Sequence, residues 1–275
     1  MTDYRRPRDL EEAVSLRAAH PDWMLLAGGT DLMVNANHKP EPIGILDLWR
    51  LPDIGFIRVE DTAIVIGAGT TWHEVVRHPT IRDKLAPLAL AAREIGALQI
   101  QARATLGGNV GTSSPVGDSL PVLLALDAQL ELASPRGRRS VPYATWCTGY
   151  RKTLLAPDEL IIAAHVPLPP ASTRTTWRKV GTRRAQSISK VMAAAAITLD
   201  GGTVVSARVA LGAVADRPIR VAAVEDAVRG LSLAHAADAA RSALRGAIKP
   251  IDDIRSTATY RREVAENIVA RFFMS

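Results

Sequence analysis

The spacing of apolar positions changes character several times along this chain, and the changes outline its elements. In DLEEAVSLRAAH (residues 9–20), Leu10, Val14 and Ala18 recur at helical spacing until Pro21 stops them. Trp23 to Ala27 form a short apolar run that ends at Gly28-Gly29, the pattern of a buried strand entering a glycine turn. ILDLW (45–49) and TAIVIGAG (62–69) predict two more strands, the second again closing on glycine. Thr71 and Glu74 stand three apart, a capping-box spacing that predicts the start of a helix at WHEVVRH. Residues 82–97 predict a helix in which Pro87 is tolerated near a first turn or at a kink. SLPVLLALDA (119–128) predicts a helix, QLELAS (129–134) a strand, RGRRSVPYATW a polar turn and ELIIAAHVPLPP (159–170) a strand stopped by prolines.

Pro167, Pro169 and Pro170, followed by the polar ASTRTT, mark a boundary between a domain of residues 1–170 and one of residues 171–275. Beyond it, KVMAAAAITLD (190–200) and TVVSARVALGAV (203–214) are strand-like runs joined by Asp200-Gly201-Gly202, a strong hairpin signal. VAAVEDAVRGL, AHAADAARSALRGAI and TATYRREVAENIVARFF predict three closing helices. The whole is an α+β chain whose last part is a small antiparallel sheet with helices.

Composition narrows the function classes. At 275 residues, 47% hydrophobic and 23% charged, the chain is a folded globular protein long enough for two packed domains. Cys147 is the only cysteine, which excludes an internal disulfide framework and any iron–sulfur cluster or cysteine-rich zinc site built by this polypeptide alone. Its expected role is that of a semi-buried small apolar side chain. The opening MTDYRRPRDLEEAV has no apolar signal core and no run is long enough for a bilayer, so the expectation is a cytoplasmic protein with no membrane insertion. The net charge is +6, but RGRR (136–139), RKVGTRR (178–184) and YRR (260–262) lack interleaved aromatics to stack on bases. Nucleic acid is therefore not the expected partner; phosphate-bearing small molecules and acidic subunits remain.

Candidate chemistry gathers at two glycine pairs, in LAGGTDL (26–32) and TLGGNVGTSSPVGD (105–118). Glycine reaches positive φ without penalty and has no Cβ, so its backbone can approach an anion closely and aim N–H groups at it. Thr30, Thr105 and Ser113 or Ser114 add hydroxyls, Asn109 an amide, and the trailing aspartates suit the hydroxyls of a sugar or ribityl chain. One such loop could be a tight turn; two could hold the two phosphates of one diphosphate cofactor from opposite sides. Neither is a GxxxxGK[ST] phosphate loop nor a GxGxxG motif, which disfavours ATP and Rossmann-type NAD binding. His73 and His78 lie on or just past one short helix and suggest no metal site, and His165 reads as a surface or interface residue.

LAGGTDLM (26–33), QIQARATLGGNVGTSSPVGDSLPVLLALDA (99–128), TGYRKTLLAPDELI (148–161) and RKVGTRRAQSISKVMAAAAI (178–197) together resemble the FAD-binding medium subunit of molybdenum hydroxylases, the xanthine dehydrogenase and carbon monoxide dehydrogenase flavoprotein family. The resemblance implies an FAD-binding domain of the p-cresol methylhydroxylase type, made of two α/β subdomains, followed by a carbon monoxide dehydrogenase flavoprotein C-terminal domain. Carried over residue by residue, it implies a first FAD loop of Leu25, Leu26, Ala27, Gly28, Gly29, Thr30, Asp31 and Leu32, and a second of Thr105, Leu106, Gly107, Gly108 and Asn109. It adds Ile95, Asp118, Ile161 and Lys179 as further FAD contacts. Each of the last three has a plainer alternative: Asp118 a helix N-cap, Ile161 strand core, Lys179 a solvated charge.

The sequence departs from the family in two places. Ile95 stands where xanthine dehydrogenase-like members have an aromatic near the flavin, and Gln186-Ser187 replace the acidic residue that usually follows the arginine pair. The resemblance also implies a division of labour: molybdopterin in a large partner subunit, [2Fe-2S] clusters in a small one, and FAD here passing electrons to NAD, oxygen or a quinone-like acceptor. A single cysteine agrees with that division and disfavours the benzoyl-CoA reductase branch, whose medium subunit carries its own cluster. No side chain of this chain is expected to act as an acid, base or nucleophile, because a flavin does the chemistry itself. The alternatives are a stand-alone FAD-dependent oxidoreductase without a molybdenum partner, and a binding protein for another diphosphate such as a nucleotide sugar.

Overall fold

A computed structural model describes residues 2–183 and 186–274. The chain opens with β1 (Asp3–Arg5), α1 (Leu10–Ala19), β2 (Met24–Leu26) and β3 (Gly44–Asp47). These strands form a parallel sheet in the order β1-β3-β2. Parallel pairing demands long crossovers, which α1 and the 27–43 segment provide. The Asp9 carboxylate caps α1 by accepting from the Glu12 N–H at 2.8 Å.

A second, antiparallel sheet follows, ordered β4 (Ile57–Val59), β5 (Ala63–Gly67), β10 (Leu160–Pro167), β6 (Gln129–Ser134) and β7 (Gly137–Pro142). Between β5 and β6 the chain leaves the sheet for α2 (Trp72–Arg77), α3 (Pro79–Lys84), α4 (Ala86–Glu94), α5 (Leu98–Gln101), α6 (Leu106–Thr112) and α7 (Leu120–Ala125). The capping box at Thr71 and Glu74 is complete in both directions. The single helix predicted over 82–97 is instead α3 and α4, because Leu85 leaves the helical region and Pro87 falls in the first turn of α4, where its missing N–H has no intrahelical partner to lose. The RGRR segment is likewise more than a turn. Gly137, at φ +105°, closes a β6–β7 hairpin, and Arg138 and Arg139 lie on the edge strand. Charged side chains on an edge hide its β-character in the sequence.

After α8 (Tyr143–Trp146), a small hairpin of β8 (Cys147–Gly149) and β9 (Lys152–Thr153) precedes β10. The remaining sheet is antiparallel in the order β11 (Thr173–Val180), β12 (Val191–Asp200), β13 (Thr203–Gly212) and β14 (Ile219–Arg220). Gly201 and Gly202 sit at φ +53° and +83°, the double positive φ of a tight hairpin turn. The polar ASTRTT stretch that follows the boundary prolines is largely the start of β11, which pairs with β12 from Thr173↔Thr198 to Val180↔Val191. Three helices close the chain, α9 (Ala222–Val228), α10 (Leu233–Arg245) and α11 (Ala258–Phe272).

Both faces of β12 are buried, which is why VMAAAAI is an unbroken apolar run. Val191, Ala193, Ala195 and Ile197 join the core under the three closing helices, whereas Ala194 and Ala196 join the core that holds Leu88 and Leu124. Alanine on the second face lets the sheet lie close to α4 and α7. No helix among the described residues is long and apolar enough to cross a membrane.

Candidate functional site

The first glycine segment leaves β2 and does not close upon itself. Among the described residues, the N–H groups of Gly28, Gly29, Thr30 and Asp31 donate to no protein acceptor, while the Gly29 carbonyl accepts from Met33 N at 2.9 Å. Gly29 is left-handed at φ +76°. Four successive free amides around one left-handed residue leave a run of backbone donors of the kind that can receive an anion. Gly28 has a different reason to be glycine: a Cβ there would lie 1.9 Å from the Arg103 carbonyl oxygen. The first segment is therefore pressed directly against the residues that lead into the second.

The second segment is built the opposite way. Thr105 caps α6, its Oγ1 accepting from Gly108 N at 3.0 Å. Leu106 N donates to Thr70 O at 3.0 Å, Gly107 N to Ala68 O at 2.8 Å and Asn109 N to Thr105 O at 3.1 Å. The amides expected to converge on an anion are thus already satisfied here. The Leu106 side chain lies in the core, and a Cβ on Gly107 would come within 2.7 Å of that of Ala68. Gly108 is different again. It is exposed, it sits in a helix where glycine is unfavourable, and the only atom near a Cβ would be Thr105 Oγ1 at 3.1 Å. Nothing within the chain demands a bare backbone at that point, whereas a ligand lying against it would.

Asp118 and Lys179 are not independent contacts. Lys179 Nζ donates to Asp118 Oδ2 at 2.7 Å and to the Glu94 carbonyl at 3.3 Å, while Ser189 Oγ donates to Asp118 Oδ1 at 2.6 Å. Trp177 Nε1 adds a bond to the Asp118 carbonyl at 3.2 Å. The side chains of Lys179 and Asp118 are 4% and 10% exposed, so neither is a solvated charge, and the N-cap of α7 is Ser119 rather than Asp118. Burial pushes the Asp118 carboxyl up from its ordinary value, against the pull of the Lys179 ammonium and the Ser189 hydroxyl. Ile95, at the C-cap of α4, is half-buried against the same core and follows the residue that Lys179 touches.

Leu25 and Ile161 belong to the core beneath the first sheet, and Ile161 Cδ1 lies near Gly111 of α6. Leu26 approaches Gly29, Ala27 connects β2 to the free amides, and Leu32 begins the 3-10 turn Leu32–His38. Asn109 Oδ1 accepts from Ser119 Oγ at 2.6 Å, which ties α6 to α7. The folded chain thus gathers the two glycine segments, with Ile161 against the second, and sets Ile95, Asp118 and Lys179 together where the C-terminal sheet meets them.

Sequence reasoning missed three residues that shape this region. Ser189 belongs to the 178–197 segment, but its burial is visible only in three dimensions. Arg103 stacks over Trp49 at 4.0 Å and reaches the Gly28 carbonyl at 3.4 Å. Arg151 pairs with Asp31. His165 pairs with Glu131 at 3.0 Å, His78 caps α3, and Cys147 is half-buried beside Ser113. Among the described residues no group of three or more potential ligands could hold a metal ion. Gln186 takes φ +51° and its carbonyl accepts from Arg183 Nε at 3.0 Å; residues 184 and 185 are outside the described residues.

A run of free amides and a bare exposed glycine on an α+β scaffold are the features expected of a protein that binds a diphosphate-containing cofactor. Residues 1–169 match the family model described as the FAD binding domain in molybdopterin dehydrogenase, and residues 177–275 match the CO dehydrogenase flavoprotein C-terminal domain. The xanthine dehydrogenase FAD-binding subunit of Escherichia coli O157:H7 is 34% identical over 84% of this chain and 80% of its own. The solved carbon monoxide dehydrogenase of Hydrogenophaga pseudoflava superimposes with a TM-score of 0.93 at 32% identity, covering 98% of this chain and 95% of that one. Quinoline 2-oxidoreductase from Pseudomonas putida 86 gives 0.90 at 26% identity, covering 100% and 96%. The chain belongs to the FAD-binding medium subunits of the molybdenum hydroxylases, the oxidoreductase family of xanthine dehydrogenase and carbon monoxide dehydrogenase.

Proposed function

We propose that this chain holds FAD between its two glycine segments and works as the electron-exit subunit of a heterotrimer with a large molybdopterin subunit and a small iron–sulfur subunit. The observation that carries the reading is the pairing of four free amides at Gly28–Asp31 with the exposed Gly108. The amides would take the pyrophosphate, and Gly108 would let it lie against the backbone. Thr30 and Asn109 would add polar contacts, Leu32 and Ile161 apolar ones. The buried Asp118–Lys179 pair, close to Ile95, would fix polar atoms at the other end of the cofactor. Bound FAD supplies exchange of one electron at a time with an iron–sulfur donor and of a pair with an acceptor. The chain's own residues bind, orient and exclude water.

NAD, oxygen or a quinone-like carrier is the acceptor in this reading. We further assign residues 1–170 to the FAD-binding domain and 171–275 to the C-terminal domain, supported by the separate core that the last sheet forms with its helices. A cytoplasmic setting fits a lone, half-buried thiol.

The test is purification of the chain with its neighbours in the genome co-expressed. The expected result is a yellow complex that releases FAD on denaturation and contains molybdenum and iron. A colourless protein that takes up no FAD would overturn the cofactor assignment. An active, yellow enzyme consisting of this chain alone would replace the subunit reading by that of a stand-alone oxidoreductase.

A further inference from the structure

The β8–β9 hairpin touches both glycine segments. At its base, Trp146 Nε1 donates to the Val110 carbonyl at 3.0 Å and Cys147 Sγ lies 2.8 Å from Ser113 Oγ, both contacts at the far end of α6. At its tip, the Arg151 guanidinium grips Asp31 with two bonds, NH1 to Oδ2 at 3.2 Å and NH2 to Oδ1 at 3.1 Å. Among the described residues this is the only side-chain partner of either group. Arg151 takes φ +52°, a left-handed conformation that non-glycine residues adopt at a cost, and in it the side chain spans 120 positions of sequence to meet a carboxylate.

Electrostatics gives that contact a purpose. Asp31 is the last of the four residues with free amides, and a bare carboxylate there would repel the anion those amides are arranged to receive. A bidentate guanidinium cancels the charge and fixes the carboxylate in one direction. We propose that Arg151 is a positioning residue of the first cofactor loop: by pairing with Asp31 it removes a repulsive charge from the amide array and anchors the loop to the hairpin. This rests on the reading of that array as the pyrophosphate site. Arg151 itself acts through Asp31 and makes no claim on the cofactor.

Double substitution distinguishes pairing with Asp31 from a direct contact between Arg151 and phosphate. Equilibrium FAD binding, read from quenching of flavin fluorescence, is measured on the purified chain or complex after flavin removal, for wild type, Arg151→Ala, Asp31→Asn and the pair. Because the two groups are about half exposed, the effect is modest: Arg151→Ala is expected to raise the FAD dissociation constant about three- to tenfold. Arg151→Lys should recover part of the loss. The decisive arm is Arg151→Ala combined with Asp31→Asn, which should return to within about twofold of Asp31→Asn alone, since no charge is left to neutralise. An Arg151→Ala defect of equal size in both backgrounds would mean direct contact with the ligand and overturn the proposal, as would no defect at all.

A second measurement does not depend on flavin. Trypsin cleavage after Arg151 and Lys152 in the apo protein should be several-fold faster in Asp31→Asn than in wild type, because the tip has lost its anchor. Equal rates would overturn the anchoring whether or not FAD binds, whereas an apo protein that shows the rate difference yet binds no FAD would count against the cofactor assignment alone.

Discussion

Lys179 donates to Asp118 across 2.7 Å, and this one bond ties the last sheet of the chain to the segment that follows the second glycine pair. Trp177 reaches the same aspartate from the same strand and Ser189 from the connection just before β12, so three residues of the C-terminal part converge on Asp118. The consequence is that the cofactor site assigned to the N-terminal part depends on the C-terminal part for its shape. A buried ion pair of this kind is weak evidence of net stability, but removing one partner leaves the other charge unpaired in the interior.

Lys179→Met is therefore expected to lower apo-protein stability by about 3 kcal/mol at neutral pH, measured by denaturant unfolding. The pH dependence has a definite sign. Burial already raises the Asp118 carboxyl in the folded state, and without Lys179 the opposing pull of the ammonium is gone. A group whose folded pKa is raised binds its proton more tightly than in the unfolded chain, so its contribution is fully present below the unfolded value and is lost as pH rises through the folded one. The Lys179→Met deficit should thus be small near pH 4 and widen toward neutrality. Asp118→Asn combined with Lys179→Met should remove that pH dependence, and a deficit that stays constant with pH would contradict the assignment of the lost charge.

The glycines of the two segments should separate by cause. Gly28→Ala places a Cβ against the Arg103 carbonyl oxygen, so it is expected to destabilise the fold by about 3 kcal/mol or more and to reduce FAD content only as a by-product. Gly108→Ala meets only Thr105 Oγ1, a contact that needs a shift of a few tenths of an ångström, and it gains up to about 1 kcal/mol of helix propensity. Apo stability should change by less than about 1 kcal/mol while FAD affinity falls at least tenfold. Gly108→Val should abolish retention. Flavin content equal to wild type in both Gly108 variants would remove the pyrophosphate role from the second segment.

A control lies in the hairpin of the last sheet. Gly201→Ala forces a side chain into φ +53°, where about 1 kcal/mol of strain is expected, yet a Cβ there would meet nothing within 4 Å and the turn closes the end of the β12–β13 pair opposite to Met192. Thermal unfolding should shift down by a few degrees with full flavin retention, and Gly201→Asn should be closer to neutral because asparagine tolerates the left-handed region.

Much of this architecture was legible in the order of residues, because its signals are local. The Thr71–Glu74 box, the Gly201-Gly202 hairpin and the alanine run of β12 each declare themselves within a few positions. β7 and β11 did not: β7 is an edge strand whose arginines face out, and β11 is an edge strand half-buried along nearly its whole length, so neither shows an alternation against a core. The site divides in the same way. Both glycine pairs are visible as motifs, but their inequality is not: whether an amide is free depends on Ala68, Thr70 and Thr105 meeting it in space. Ser189 and Arg151 were likewise hidden, being separated from their partners by 71 and 120 residues.

The turn that leads into Ile161 offers a test of acid sensitivity with the opposite sign to that at Asp118. Glu159 is buried and accepts from Arg139 Nε at 2.6 Å, from Arg139 NH2 at 2.7 Å and from Ala156 N at 2.8 Å. The Arg139 guanidinium, ahead of the Ala156 amide, holds its carboxyl below the usual range despite the cost of burial. A depressed folded pKa contributes stability that is present above the unfolded value, near 4.5, and is lost as pH falls through the folded one. Arg139 is about half exposed, so screening trims the effect, and Glu159→Gln is expected to cost about 1–2 kcal/mol at pH 7. The gap between wild type and Glu159→Gln should close as the pH is lowered below about 4.5, measured by denaturant unfolding at fixed ionic strength. Since Ile161 follows two residues later and touches α6 near Gly111, the same substitution should also loosen flavin binding at neutral pH, and a stability gap that instead widened in acid would show that Glu159 is held by something other than its charge.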